Sequence, residues 1–491
     1  MPAIKGFTIV EILVVVVVIG IIASIVVVSY SGVTQSVRRE SIKTEVQSIA
    51  AQLKSLKNND GSFPLSLNSL KTNSQYTYQY QSPSNSFFCL AVANGGMVYY
   101  ATSQASDVQE GSCTPNIVGG RSFSVYVNTA GNVYTWGQND QGQLANGATS
   151  STTTNTPVSV GNFGVTLQVS AGYYHVVNLT ADNKIISWGR GVNGQLGNGS
   201  ASDQSLPVEV IDTGVLANKT IVAVSAGGHH SLALSSDGKV YSWGSNGYGQ
   251  LGNGANTSLT SPVEVNTSGV LAGKKIIAIE AGYSHSVALD ENGQLYAWGT
   301  NDLGQLGNGS TTASNVPVLV DMSGVLNGKT VRSVSAGLDH TLVLASDNRV
   351  YGWGRNSSYQ LGNGSTTNAL TPVAALTSGP LGGVSVRLAG VTAGMYSSAA
   401  MSVDNTTWYV WGQGAYGQLA NNSTSTITAP AAVSLNSLMG GKTFKTITLN
   451  ENNAHAQASD GSLYVWGRND FGQVGNNSTT TAMLPVPITM P

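Results

Sequence analysis

Four of the six histidines, His175, His230, His285 and His340, stand at one recurring position, each three residues after an Ala-Gly step. An imidazole is the commonest general base and metal ligand, so the series invites a catalytic or metal reading. A metal needs its donors to converge, and one donor per widely spaced repeat does not supply that. The same position holds Phe123, Ser397 and Asn453 in other repeats. Two readings follow: a hydrogen bond to a neighbouring loop made in each repeat, or a polar arc lining a binding face. Asp140, Asp302 and Asp470 recur in Asn-Asp loops, but each loop offers one carboxylate where calcium takes several oxygens, so they read as solvated turns. The run Gly249-Gln-Leu-Gly-Asn-Gly254 leaves a strand-like segment for a polar loop, whereas a phosphate cradle needs glycines that open a helix. No Ser/His/Asp set, carboxylate pair or Cys/His cluster stands apart from the repeats. No catalytic residue, metal site or cofactor is therefore assigned, and the chain reads as a non-enzyme.

The elements that position these residues recur with them. A Trp-Gly pair falls at Trp136, Trp188, Trp243, Trp298, Trp353, Trp411 and Trp466, at intervals of 52, 55, 55, 55, 58 and 55 residues. Around Trp243, the residues Val222, Val224, Leu232, Leu234, Val240 and Tyr241 mark three short strands, with Asp237-Gly238 as a hairpin turn. A fourth run follows each glycine loop and opens on proline, at Pro157, Pro207, Pro262, Pro317, Pro372, Pro430 and Pro485. Four strands repeated seven times predict a closed seven-bladed β-propeller, with each tryptophan filling the gap between blades. The first unit is short before Gly119-Gly120 and the chain ends on an extra Pro485-Val-Pro-Ile488, which predicts that the two ends share a blade. Differences between units concentrate at 148–156, 200–206, 255–261 and 310–316, loops of the kind that recognise partners.

The combination Ser-Ala-Gly-x-x-His, Asp-Gly-x-Val-Tyr-x-Trp-Gly and Gly-Gln-Leu-Gly-Asn-Gly resembles the RCC1 family repeat, over roughly residues 117–491. The resemblance implies the same mostly-β, seven-bladed fold. In the member that names that family, histidines on one propeller face contribute to nucleotide exchange on a small GTPase. It does so with insertions that no unit here carries. A secreted bacterial inhibitor of β-lactamases also uses similar repeats, so the resemblance permits tight protein recognition.

Charged residues make up 9% of the chain and the formal net charge is -2, which offers no basic field to a nucleic acid. The N-terminus points to a membrane instead. Phe7 to Val28 is apolar apart from Thr8, Glu11 and a few small residues, and about 20 residues span a ~30 Å hydrocarbon core. Lys5-Gly6-Phe7-Thr8-Ile9-Val10-Glu11 resembles the class III signal of type IV prepilins. That resemblance implies cleavage between Gly6 and Phe7 by a prepilin peptidase, N-methylation of Phe7, and an assembly role for Glu11. A carboxylate inside a membrane helix costs roughly 2.5–3.5 kcal/mol on insertion scales, which a neighbouring subunit's N-terminal ammonium would offset.

Beyond Ser29, Val33, Val37, Ile42, Val46, Ile49, Ala50, Leu53 and Leu56 follow helical spacing up to the turn at Asn58-Asn-Asp-Gly61. Tyr76 to Tyr80, Phe87 to Ala93 and Met97 to Thr102 then read as strands of a small α+β head. Phe88-Cys89-Leu90-Ala91 and Glu110-Gly-Ser-Cys113 resemble the paired-cysteine ends of small pilin domains, which implies a disulfide in an oxidising compartment, worth ~3 kcal/mol by chain entropy. The expected organisation is a leader at 1–6, a long helix at 7–57 that is transmembrane over 7–29, a small pilin-type head at 58–116 and the propeller at 117–491. The function this implies is a minor pilin-like surface subunit, held with other pilin subunits and displaying the propeller outward to a protein ligand. A pseudopilin of a secretion or DNA-uptake machine is one alternative. An exchange factor or enzyme on the histidine-bearing face is another.

Overall fold

The computed structural model describes residues 38–56, 70, 77–84, 87–94, 97–102, 109–110, 117–376, 381, 388–402 and 405–491. Gly6, Phe7, Glu11 and Cys113 lie outside the described residues, as does the apolar run from Phe7 to Val28. Cys89 is described only through its backbone, so the expected disulfide also falls outside them. No helix among the described residues is long and apolar enough to cross a membrane.

A helix occupies 38–55. Its residues Ile42, Val46, Ile49, Ala50 and Leu53 are buried, the single stripe that the helical spacing predicts. Four strands follow, Thr77–Ser84, Phe87–Asn94, Met97–Thr102 and Gln109–Glu110, joined in that order as one antiparallel sheet. The first of these lies against the inner strands Ile221–Ala226 and Leu388–Ala393 of the large domain.

The large domain consists of seven four-stranded antiparallel sheets, each ordered from the channel outward as strands a, b, c and d. Blades 1 to 7 cover 117–159, 166–209, 221–264, 276–319, 331–374, 388–434 and 444–488. In blade 3, strand b (His230–Ser235) and strand c (Val240–Gly244) are buried at every position. Neighbouring blades cover both of their faces, so these strands read as continuous apolar runs with little alternation. The hairpin between them turns at Asp237-Gly238, where Gly238 has φ +81°.

The core therefore sits between blades. Val177, Leu179 and Ile185 of blade 2 pack with Ile221, Val224, Tyr241 and Trp243 of blade 3. All seven repeat tryptophans are fully buried, and an eighth, Trp408, stacks edge-on against Trp466. A buried aromatic removes ~150–250 Å² from water, which at about 25 cal/mol per Å² gives an upper bound of roughly 4–6 kcal/mol.

Two expectations need correction. Each blade is drawn from one continuous segment, so the chain ends do not share a sheet. The ring closes by packing blade 7 on blade 1, where Ile117, Tyr126 and Trp136 meet Leu463, Val465, Val474 and Ile488. Closure needs no exchanged strand because the interface matches those between the other blades. The prolines also do not open their strands. Pro207 lies inside strand d (Gln204–Glu209), at the break in register between the pairs Ser187–Val208 and Gly189–Gln204. At that bulge on an outermost strand, the missing N–H costs no ladder bond.

Candidate functional site

The step from strand a to strand b builds both the contact between blades and the mouth of the channel. In blade 3 the chain leaves Ala226, turns through Gly227, Gly228 and His229, and enters strand b at His230; Gly227 N–H donates to His230 O at 2.9 Å. A Cβ at 227 would lie 2.4 Å from Gly282 O of blade 4 and 2.5 Å from His230 Cε1, so only glycine lets the two turns nest.

His175, His230, His285 and His340 are fully buried between blades. His175 Nε2 lies 2.9 Å from Ser231 Oγ of the next blade, and Ser231 in turn donates to Gln195 O at 2.9 Å. With its own proton committed to that carbonyl, Ser231 accepts from the imidazole, which fixes the proton on Nε2. The indole N–H of Trp243 donates to the same carbonyl at 2.9 Å. His230 reaches Ser286 at 2.9 Å, His285 reaches Thr341 at 3.1 Å and His340 reaches Ser398 at 3.0 Å. The Nδ1 atoms of all four receive no hydrogen bond. Burial drives the imidazoles to about 3, or about 4 for His285, so they are neutral. They couple blades and present no surface, which corrects the expectation of a histidine-bearing binding face. Blade 7 closes onto blade 1 through a histidine from another register, His455, whose Nε2 sits 2.7 Å from Ser124 Oγ.

The variable loops and the recurring acids are likewise scaffold on their inner side. Asn246 Nδ2 donates to Ala255 O at 2.9 Å and Thr257 O at 3.1 Å, pinning the loop after Asn253-Gly254 from within. Asp302 accepts from Gln305 Nε2 at 3.2 Å inside its own turn. Among the described residues no group of acids, histidines or cysteines could hold a metal ion.

The channel mouth gathers side chains from the turns just before strand b and just after strand c, which vary more between repeats than the joint residues do. Tyr173 packs edge-on against Tyr174, Tyr283 and His229, with ring centroids 4.9, 5.2 and 5.9 Å apart. His229 Nε2 lies 3.2 Å from the Tyr283 hydroxyl. The Arg121 guanidinium stands 5.0 Å from the Tyr173 ring centre and bonds the Tyr174 hydroxyl, while Arg190 stands 5.6 Å from the Tyr174 ring. Glu451 of blade 7 completes the arc; its Oε1 accepts from the Tyr173 hydroxyl at 3.4 Å and its Oε2 lies 3.7 Å from Arg121 Nε.

Burial pushes the Glu451 carboxyl up to about 7 and the Tyr173 hydroxyl well above its ordinary value, and it lowers His229 to about 4. Across the channel a sparser set, Arg355 with Asp339 at 3.4 Å and over Tyr396 at 4.7 Å, continues the rim. The arc is half-buried, aromatic and cationic, and three of its polar atoms lack a hydrogen bond: His229 Nδ1, Arg190 Nε and Glu451 Oε2.

A family model described as the RCC1-like domain matches residues 211–491, and RCC1 repeat models match 116–143, 130–179, 167–195 and 182–234. A model described as the prokaryotic N-terminal methylation motif matches residues 1–27. The ultraviolet-B receptor UVR8 of Arabidopsis thaliana is 33% identical over 326 residues, which is 66% of this chain and 70% of the receptor. The E3 ubiquitin-protein ligase HERC2 of Homo sapiens is 31% identical over 360 residues, and the match spans 7% of that ligase. Among solved structures, human WBSCR16 superposes with a TM-score of 0.64 at 21% identity, covering 73% of this chain and 95% of the other. Yeast RCC1 superposes with a TM-score of 0.63 at 21% identity, covering 73% and 84%. At such identities the likeness is one of fold.

Proposed function

Since this chain belongs to the RCC1-like domain family and carries a prokaryotic N-methylation motif, we propose that it is a minor pilin-like surface subunit whose propeller recognises another protein without catalysis. In this reading the peptidase cuts between Gly6 and Phe7, residues 7–29 cross the membrane, Glu11 pairs with a neighbouring pilin subunit, and Cys89 and Cys113 close the small head. The propeller then faces outward. The observation that carries recognition is the mouth arc of Arg121, Tyr173, Tyr174, His229, Tyr283 and Glu451. Tyrosine and arginine dominate the energetics of protein interfaces. That the relative UVR8 is by name a receptor supports a recognising role.

Immunogold labelling of intact cells tests the placement: label along or at the ends of filaments is expected, and label confined to the envelope contradicts it. Glu11→Ala is expected to block incorporation into filaments while leaving membrane insertion intact.

A further inference from the structure

Below the mouth, blade 4 places an acid in a channel wall that otherwise carries hydroxyls and, in blade 1, a valine. Counting back two residues from the turn glycine, or from Asn450 in blade 7, the inner strands present Val118, Ser170, Ser225, Glu280, Ser335, Thr392 and Thr448 at one level. The serine and threonine hydroxyls at this level join blades. Ser170 accepts the N–H of Ala226 at 2.9 Å, Ser225 that of Ala281 at 3.0 Å, Ser335 that of Ala393 at 3.0 Å and Thr392 that of Leu449 at 3.0 Å. The Glu280 backbone pairs with Val287 in the sheet, and its side chain makes no hydrogen bond or ion pair with the described side chains. Arg332 lines the same cavity from blade 5. The cavity measures about 630 Å³ and extends from Ile277 and Arg332 up to the mouth turns, beside the strand Thr77–Ser84 that lies against the inner strands of blades 3 and 6. At its upper end Glu451 has a side chain 8% exposed, and its Oε2 receives no hydrogen bond.

We propose that the channel binds a primary alkylammonium group, held by the Glu280 carboxylate and the neighbouring hydroxyls. An ammonium has three N–H donors and no acceptor. Glu280 supplies the charge, and Ser225 and Ser335, each already accepting one N–H, keep a lone pair apiece for the remaining donors. A divalent metal is a poor match, because one carboxylate at this level falls short of the several oxygen ligands that calcium or magnesium takes. The burial that raises the Glu280 carboxyl to about 8 also marks the site as one where an unmatched charge is costly and a matched one is strongly held. The cost to the scaffold is visible: at this joint, as at that of Val118, the hydroxyl that Ser170, Ser225, Ser335 and Thr392 use to link blades is missing.

The ammonium can come from a free diamine or from a lysine side chain of a bound protein; the second source rests on the recognition reading and the first does not. The test uses the full chain in detergent, titrated calorimetrically with putrescine, with a Gly-Gly-Lys-Gly-Gly peptide and with its Nε-acetylated form. Putrescine or the lysine peptide is expected to bind, the acetylated peptide is not, and Glu280→Gln is expected to weaken binding at least tenfold. Saturation by putrescine alone assigns a free amine, and saturation by the lysine peptide assigns a protein side chain. Glu280→Ser guards against misfolding, since it restores the hydroxyl that four other blades use; it is expected to fold with an equal or higher melting temperature and to lose binding as well. Binding of neither amine, or equal affinity in wild type and both variants, overturns the proposal. Failure of the filament labelling would leave the putrescine result untouched.

Discussion

His229 and His230 are neighbours in the chain and belong to different parts of the molecule. His230 recurs, lies fully buried and reaches Ser286 of the next blade. His229 does not recur and packs among Tyr173 and Tyr283 at the channel mouth. The difference generalises. A residue repeated in register meets the same neighbour in blade after blade and so serves the joint between blades. A residue that changes from blade to blade is released from that joint, and the changed residues are the ones gathered at the mouth and in the channel.

Breaking the joint should have the largest effects. Trp243→Ala removes a fully buried indole and its bond to Gln195 O, and a loss of ~3–5 kcal/mol is expected in denaturant unfolding. The pH dependence comes next. His175, His230, His285, His340 and His455 are held neutral by burial, well below their ordinary value, while the unfolded chain protonates them near 6.5. The stability that the imidazoles contribute is therefore complete above about pH 6.5 and falls as pH drops toward the folded values, by at most roughly 1.4 kcal/mol per pH unit for each imidazole. Glu280 and Glu451, raised to about 8 and about 7, oppose this trend, but they are outnumbered. A melting temperature that stays level between pH 6.5 and 4.5 would contradict the assignment. The smallest effect on stability is expected at the mouth: Tyr173→Ala with Tyr283→Ala should move the midpoint little, by about 1 kcal/mol or less per site, while weakening capture of whatever partner the head binds.

The fold was legible because the repeat is. Trp-Gly spacing, Asp-Gly hairpins and the Gly-Gln-Leu-Gly-Asn-Gly loop each carry a local geometric demand, and seven copies average out the noise. Closure was misread because the short first unit looked incomplete, although Ile117–Gly119 suffices as an inner strand when Phe123–Val127 covers it. The histidines were drawn both ways, since recurrence marks a residue as important without saying whether it faces a neighbour or a ligand. Only the inter-blade distance to Ser231, Ser286, Thr341 and Ser398 decides that. The mouth arc and Glu280 escaped because their sites are assembled across blades: Arg121 from blade 1, Tyr173, Tyr174 and Arg190 from blade 2, His229 from blade 3, Tyr283 and Glu280 from blade 4, and Glu451 from blade 7. No window of sequence contains them.

Paired unfolding of His230→Ala and His229→Ala tests the account most directly, because adjacent residues share every local property except their place in the repeat. The account predicts that His230→Ala loses ~2–3 kcal/mol, from a cavity and the donor removed from Ser286, while His229→Ala stays within about 1 kcal/mol of wild type. Equal losses, or a larger loss at His229, would contradict the division between joint and mouth.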